Sequence, residues 1–533
     1  MIEGRGRQRR SARIASAALM AGAIALCSRA AAADPLVDAA SDADRATALA
    51  LIDEGADPNA ASEDGTTALH WAAYHDDVAL ARRLVGAGAN VNAVNEYGSF
   101  PLAEAAEIGN AEMIALLLEA GAEVEAANAD GQTALMIVAR TSKVEAARLL
   151  IEAGADVNRA EAWRGQTPLM WAAAQGQPEM IELLLEHEAL PDVRSTPNDW
   201  PRQVSAESRR MYRPTGGLTP LLFAAREGCT ECVEALIEGG ADPDFTNPKN
   251  VTALFLAIDN AHMDTARVLI ERGANVNKWD WWGRTPLWAA VDQHAIPAGG
   301  RADRRSPDET SPLAIIEMLL AHGANPDIAL KLPPPYRSIV DDRGCDSMLT
   351  TGMTPLLLAA KTFDVEAMRP LLEAGADYDL PNQDGVLPIL AAAGLGSSSC
   401  DPRGYGAGIP HYETADVQQA SIAALEVLID AGADVNSRSP SVTGTGSRFG
   451  GRRTGQTALF GAVTWGWNDV VRFLVDKGAS IDGGDGGGRT PYDTALGGGG
   501  RGRGDSDGGQ PETAALLIEL CAEQEGCDVG AGR

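Results

Sequence analysis

The stretch from Gly131 to Asp156, GQTALMIVARTSKVEAARLLIEAGAD, holds a turn, two helices and a stop. Gly131 opens it as a turn glycine. Thr133 stands where a hydroxyl can cap the orphan amides of a helix start, and the small Ala134 beside Leu135 lets a short helix press closely on a neighbour. Val144, Ala147, Leu149, Leu150 and Ile151 then recur at helical spacing and mark a second helix with one apolar face. Gly154-Ala155-Asp156 ends it, because glycine accepts the left-handed conformation that terminates a helix.

The pattern repeats along the chain. Turn glycines stand at Gly65, Gly98, Gly131, Gly165, Gly217, Gly283, Gly352, Gly385, Gly455 and Gly488, in steps of 33, 33, 34, 52, 66, 69, 33, 70 and 33 residues. Asn250 opens Asn250-Val251-Thr252-Ala253-Leu254 and halves the step of 66. Steps of 52, 69 and 70 are one period plus an insertion of 19, 36 or 37 residues. Thr-Pro-Leu follows the turn at Thr167-Pro168-Leu169, Thr219-Pro220-Leu221, Thr285-Pro286-Leu287 and Thr354-Pro355-Leu356, where proline at the first helical position loses no hydrogen bond. Exits of the Gly154 type recur at Gly88, Gly121, Gly273, Gly323, Gly375, Gly432 and Gly478.

This unit resembles the ankyrin repeat in its length, its Thr-Pro-Leu-His-type signature and its Gly-Ala-Asp exit, from about residue 34 to 520. The resemblance implies an all-α fold: an ankyrin-repeat α-solenoid of roughly 11–12 helix-turn-helix repeats, joined by short β-hairpin fingers. It also implies a protein partner held on finger tips and on the concave face of the first helices. Ala replaces Pro in several signatures, as in Thr67-Ala68-Leu69-His70, and only His70 keeps the signature histidine, for which the resemblance implies a bond within the turn. Asp34 to Ser62 and Gly488 to about Leu520 read as end caps, which a stack needs for polar outer faces. Residues 521–533 are a C-terminal tail.

A stack tolerates insertions only on its rims. Segments 194–216, 328–351 and 437–453 lengthen fingers between repeats, whereas 293–311, 394–420 and 497–510 separate the two helices within one repeat. They crowd the C-terminal two thirds, which is therefore expected to carry recognition specificity. Tryptophans fall there too. Trp279, Trp281 and Trp282 lie in the finger before Gly283, Trp163 in an equivalent finger, Trp200 and Tyr212 in the adjoining insertion, and Trp465 after a first helix. An exposed indole is a frequent interface anchor, so these seven are the candidate partner-binding residues.

The formal charge is −30, with 44 basic against 74 acidic side chains. Phosphate backbones and anionic lipids are bound through clustered Lys and Arg, so nucleic acid is excluded as an expected partner and basic proteins are favoured. The first 33 residues read as an export signal: a basic stretch (Arg5, Arg7, Arg9, Arg10, Arg13), an apolar run from Ile14 to Cys27, and Ala30 to Ala33 before Asp34. That run is shorter than the ~18 residues of a membrane span, so the remaining chain is expected to have no membrane insertion. The expected address is periplasmic, with an extracellular location or a lipid anchor on Cys27 as alternatives.

Six cysteines follow this segment, and their spacing makes Cys229 with Cys232, Cys521 with Cys527, and Cys345 with Cys400 candidates for disulfides. Cys229-Thr230-Glu231-Cys232 also has the spacing of a thiol-exchange motif at a helix start, which leaves a redox-regulated accessory protein as an alternative to a binding scaffold, and a passive spacer as a third. The seven His lack the paired spacing of zinc ligands, and no metal or cofactor is expected. No Gly-x-Ser-x-Gly elbow, HExxH pair or kinase-type set occurs, so no catalytic residue is assigned and the chain is not expected to be an enzyme.

Overall fold

A computed structural model describes residues 34–198, 215–295, 308–332, 348, 350–396, 414–440, 454–497, 509–524 and 526–529. The described residues form two compact units that divide between Ala162 and Trp163, a division that the repeat pattern does not announce. Among the described residues no helix is long and apolar enough to cross a membrane. The N-terminal segment 1–33, including Cys27, lies outside the described residues.

In the first unit four helix pairs follow one another: α1 (Pro35–Ser41) with α2 (Arg45–Asp53), α3 (Ala68–Tyr74) with α4 (Val78–Gly86), α5 (Pro101–Ile108) with α6 (Ala111–Glu119), and α7 (Ala134–Val138) with α8 (Val144–Glu152). Each first helix packs on its own second helix and on the first helix of the next pair; the second helices pack likewise. Leu69, Leu84, Leu102, Ile114, Leu135 and Leu150 are fully buried between layers. Each such side chain contributes about 1.5–3 kcal/mol of transfer free energy, a sum no single pair could bury alone.

Among its described residues the second unit continues the pattern with eight pairs. They are α9 (Pro168–Gln175) and α10 (Pro178–Glu186), α11 (Pro220–Glu227) and α12 (Thr230–Glu238), α13 (Ala253–Asp259) and α14 (Met263–Glu271), and α15 (Pro286–His294) and α16 (Pro312–Ala321). Then come α17 (Pro355–Lys361) and α18 (Val365–Glu373), α19 (Pro388–Ala392) and α20 (Thr414–Asp430), α21 (Ala458–Trp465) and α22 (Asn468–Asp476), and α23 (Pro491–Ala495) and α24 (Pro511–Ala522). Helix α20 starts inside the segment expected as insertion 394–420, and α24 runs two residues into the expected tail. The β-hairpin character of the fingers is weaker than expected. Among the described residues, paired strands occur only as β1 (Pro197–Asn198) against β2 (Thr215–Gly216), with single bridges at Ala61 to Thr67 and Ala127 to Thr133.

Local chemistry explains the regularity. The cap threonines accept from the amide three residues on, as Thr285 does from Trp288 at 3.1 Å and Thr354 from Leu357 at 3.1 Å. His70 ties one finger to the next: Nδ1 accepts from the Thr67 amide at 3.2 Å, leaving Nε2–H to donate to the Ser99 carbonyl at 3.2 Å. Burial depresses its pKa and keeps this imidazole neutral. Past the exit glycine, an Asn or, at Glu125, Asp192, Asp244 and Asp327, a carboxylate accepts from a backbone amide of the next repeat. Asn92 Oδ1 accepts from Glu123 N at 2.8 Å while its Nδ2 donates to Gly121 O at 3.1 Å; in the second unit Asn277 does the same to Asn325 N and Gly323 O. A side-chain amide has both donor and acceptor, so only Asn completes both bonds.

Candidate protein-interaction surface

The finger between α14 and α15 reads Lys278-Trp279-Asp280-Trp281-Trp282-Gly283-Arg284. Its shape comes from Asp280. Oδ1 accepts from the amides of Trp282 (3.0 Å) and Arg284 (2.9 Å), closing the turn that Gly283 completes at φ +86°. Oδ2 takes Nε of Arg284 at 2.8 Å, and the guanidinium lies 4.7 Å from the Phe255 ring centre and 5.1 Å from that of Trp282. Arg284 also reaches Asp259 at 3.4 Å. A planar cation between rings, paired to a carboxylate, holds the turn without solvent.

The same acceptor recurs three residues before the turn position: Asn95, Asn128, Asn247, Asn382 and Asp485 each accept from two amides of their own finger. Sequence reasoning passed over it, although an Asn or Asp at that fixed offset was a readable signal.

On this turn Trp279 and Trp281 are 39% and 45% exposed. Trp282 departs from expectation: it is 4% exposed, its ring turned onto Arg284 rather than outward, so it supports the finger instead of lining its surface. Neighbouring fingers supply cations. The Lys331 ammonium sits 3.0 Å from the Trp279 ring centre, Lys249 lies 5.9 Å from that of Trp282, and Arg194 stacks at 4.3 Å on Phe245. Backbone bonds join the three fingers: Trp281 N donates to Lys249 O at 3.0 Å, and Lys331 N to Trp282 O at 2.8 Å. Lys278 Nζ donates to the Asp244 carbonyl at 2.6 Å. None of these cations was singled out from the sequence. The clue was scarcity, since half of the few lysines fall between Lys249 and Lys331.

The remaining candidates separate. Trp163 is 71% exposed. Trp465 is half-buried: its Nε1 donates to Gly394 O at 2.9 Å and its ring stacks on the buried Trp467 at 6.4 Å. Trp200, Tyr212, Cys345 and Cys400 lie outside the described residues.

Disulfides join Cys229 to Cys232 and Cys521 to Cys527. The Cys229 sulfur caps α12, accepting from Cys232 N at 3.2 Å, and Cys232 is fully buried. Among the described residues no three or more His, Cys, Asp or Glu side chains converge as a metal site.

Models of ankyrin repeats match residues 36–128, 120–195 and 221–329, and a single-repeat model matches 454–485. The chain is 30% identical over 232 residues to the B-cell lymphoma 3 protein homolog of Mus musculus, covering 43% of this chain and 40% of that protein. It is 26% identical over 282 residues to the E3 ubiquitin-protein ligase KEG of Arabidopsis thaliana (44% and 16%) and 31% over 202 residues to neurogenic locus notch homolog protein 1 of Homo sapiens (34% and 8%). The chain thus spans less than half the length of these relatives. The human ASB11 ankyrin repeat domain aligns at a TM-score of 0.38 with 25% identity, over 45% of this chain and 98% of that domain. With matches over more than half its length, this chain belongs to the ankyrin-repeat family, whose repeats mediate protein–protein interaction.

Proposed function

We propose that this chain is a protein-interaction scaffold of the cell envelope, exported by its first 33 residues to the periplasm and holding a protein partner on finger tips, first helices and rim insertions. One observation carries the reading: Trp279 and Trp281 stand exposed on a turn whose own geometry is locked by buried groups. Large rings held in place lose little entropy on docking and match the composition of interface hot spots. The net charge of −30 favours encounter with a partner whose overall charge is positive.

Equilibrium capture from envelope extract, comparing the natural chain with Trp279→Ala/Trp281→Ala, tests the binding reading. Loss of one captured protein supports it, and unchanged capture sinks it in favour of a passive spacer. Export is tested separately by fractionating cells that express the chain with and without residues 1–33; a cytoplasmic full-length chain would overturn the envelope assignment.

A further inference from the structure

Half of the lysines of this acidic chain stand on three fingers. Lys249, Lys278 and Lys331 stand on three successive fingers joined by the backbone bonds from Trp281 to Lys249 and from Lys331 to Trp282, and the Lys331 ammonium lies over the Trp279 ring. Of the nearby carboxylates, Asp280 and Asp259 hold Arg284, and the half-buried Asp244 accepts from Asn275 N through Oδ1 at 2.8 Å. Among the described residues neither Lys278 nor Lys331 is in an ion pair. Lys331 is held by a ring face, which fixes its ammonium without neutralising it.

We propose that this island of Lys249, Lys278, Lys331, Trp279 and Trp281 binds an extended acidic segment of a partner polypeptide, carboxylates on the ammonium groups and an apolar side chain between the two exposed rings. The inference rests on the reading of the chain as a protein-binding scaffold and adds the chemistry of what it holds. Repeat layers lie about 10 Å apart, so three fingers span roughly 20 Å, the length of about six extended residues. A longer polyanion such as a nucleic acid fits poorly, because beyond the island it meets a surface with a large acidic excess.

Selection of phage-displayed random heptapeptides on the full chain tests this. The natural chain enriches peptides with Asp or Glu flanking an apolar residue. Their synthetic forms bind at least about tenfold more weakly to Lys249→Glu/Lys278→Glu/Lys331→Glu, a loss of the size measured for close interfacial charge pairs, while the corresponding Lys→Arg variant retains them. Circular dichroism melts confirm that each variant is folded. Pools without acidic enrichment, acidic pools that persist on the Glu variant, or heparin bound as tightly as the selected peptides each overturn the proposal. If Trp279→Ala/Trp281→Ala loses the envelope partner while the Glu variant keeps it, the scaffold reading stands and the acidic segment alone is wrong.

Discussion

Arg284 gives both Nε and Nη2 to Oδ2 of Asp280 at 2.8 Å, inside a turn where the Asp280 side chain has no solvent exposure at all. The pair is what turns a flexible connection into a platform for Trp279 and Trp281. Removing Asp280 leaves the buried Arg284 to its longer contact with Asp259 at 3.4 Å. Asp280→Ala is therefore expected to lower stability by about 3–5 kcal/mol in urea denaturation. Asp280→Asn keeps an oxygen for the two turn amides and should lose distinctly less. Equal losses would show that the charge pair, not the amide bonds, holds the finger.

The three adjacent tryptophans should divide by role. Trp282→Ala opens a cavity beside Arg284 and is expected to cost about 3–5 kcal/mol of stability. Trp279→Ala and Trp281→Ala leave stability within about 0.5 kcal/mol, as surface substitutions do, yet weaken partner binding by about 2 kcal/mol or more each. Thermal melts and binding isotherms on the same preparations separate the two effects.

His294 on α15 reaches across to the cap of α18, with Nδ1 2.6 Å from Asp364 Oδ2 and Nε2 3.6 Å from Glu366. The bond to Asp364 raises the imidazole pKa, against the opposing effect of burial. A raised folded-state pKa means that the protonated form stabilises the fold. This stabilisation is fully present below the unfolded value of about 6.5 and is lost as pH rises through the higher folded value. The difference in melting temperature between the natural chain and His294→Gln should accordingly shrink from pH 6 upward; a difference constant with pH would refute the linkage.

Both described disulfides close short loops, over sequence separations of 3 and 6 residues. Chain-entropy reasoning assigns each only about 2 kcal/mol. Cys521–Cys527 ties the last turn of α24 to the residues that follow it, whereas Cys229–Cys232 is built into the cap of α12. Reduction is expected to accelerate amide exchange first near residues 521–527 and to leave the remaining repeats protected. Mass-resolved hydrogen exchange with and without reductant reads this directly, and global loss of protection on reduction would show that the disulfides carry the fold.

Gly131 illustrates the tight spacing of fingers. Its φ is +79°, and a Cβ there would meet Ala162 N at 2.9 Å and Ala162 Cβ at 3.0 Å. Gly131→Ala combines a disfavoured backbone with a clash against backbone, and a loss exceeding about 1 kcal/mol is expected in chemical denaturation. Gly121→Ala also has a positive φ but meets nothing within 4 Å, so its loss should be smaller.

The amino-acid sequence by itself determined the repeat. A spacing of 33 residues between turn glycines, Thr-Pro-Leu starts and Gly-Ala-Asp exits are local signals, each sufficient to start or stop a helix within a few residues, and they sufficed for the helix pairs and for the family. What the tertiary structure decided is which residues of a finger face out. Trp281 and Trp282 are neighbours in the chain, yet one is 45% exposed and the other 4%, because the second ring covers Arg284. Lys331 reaches Trp279 only after an entire helix pair with an insertion has intervened, and Trp465 is claimed by the carbonyl of Gly394, 71 residues earlier. Period analysis places a residue within its own repeat. The surroundings of a finger are supplied by the repeats on either side, and it is their packing that turned a run of tryptophans into one buried support and two exposed rings, one of them under the Lys331 ammonium.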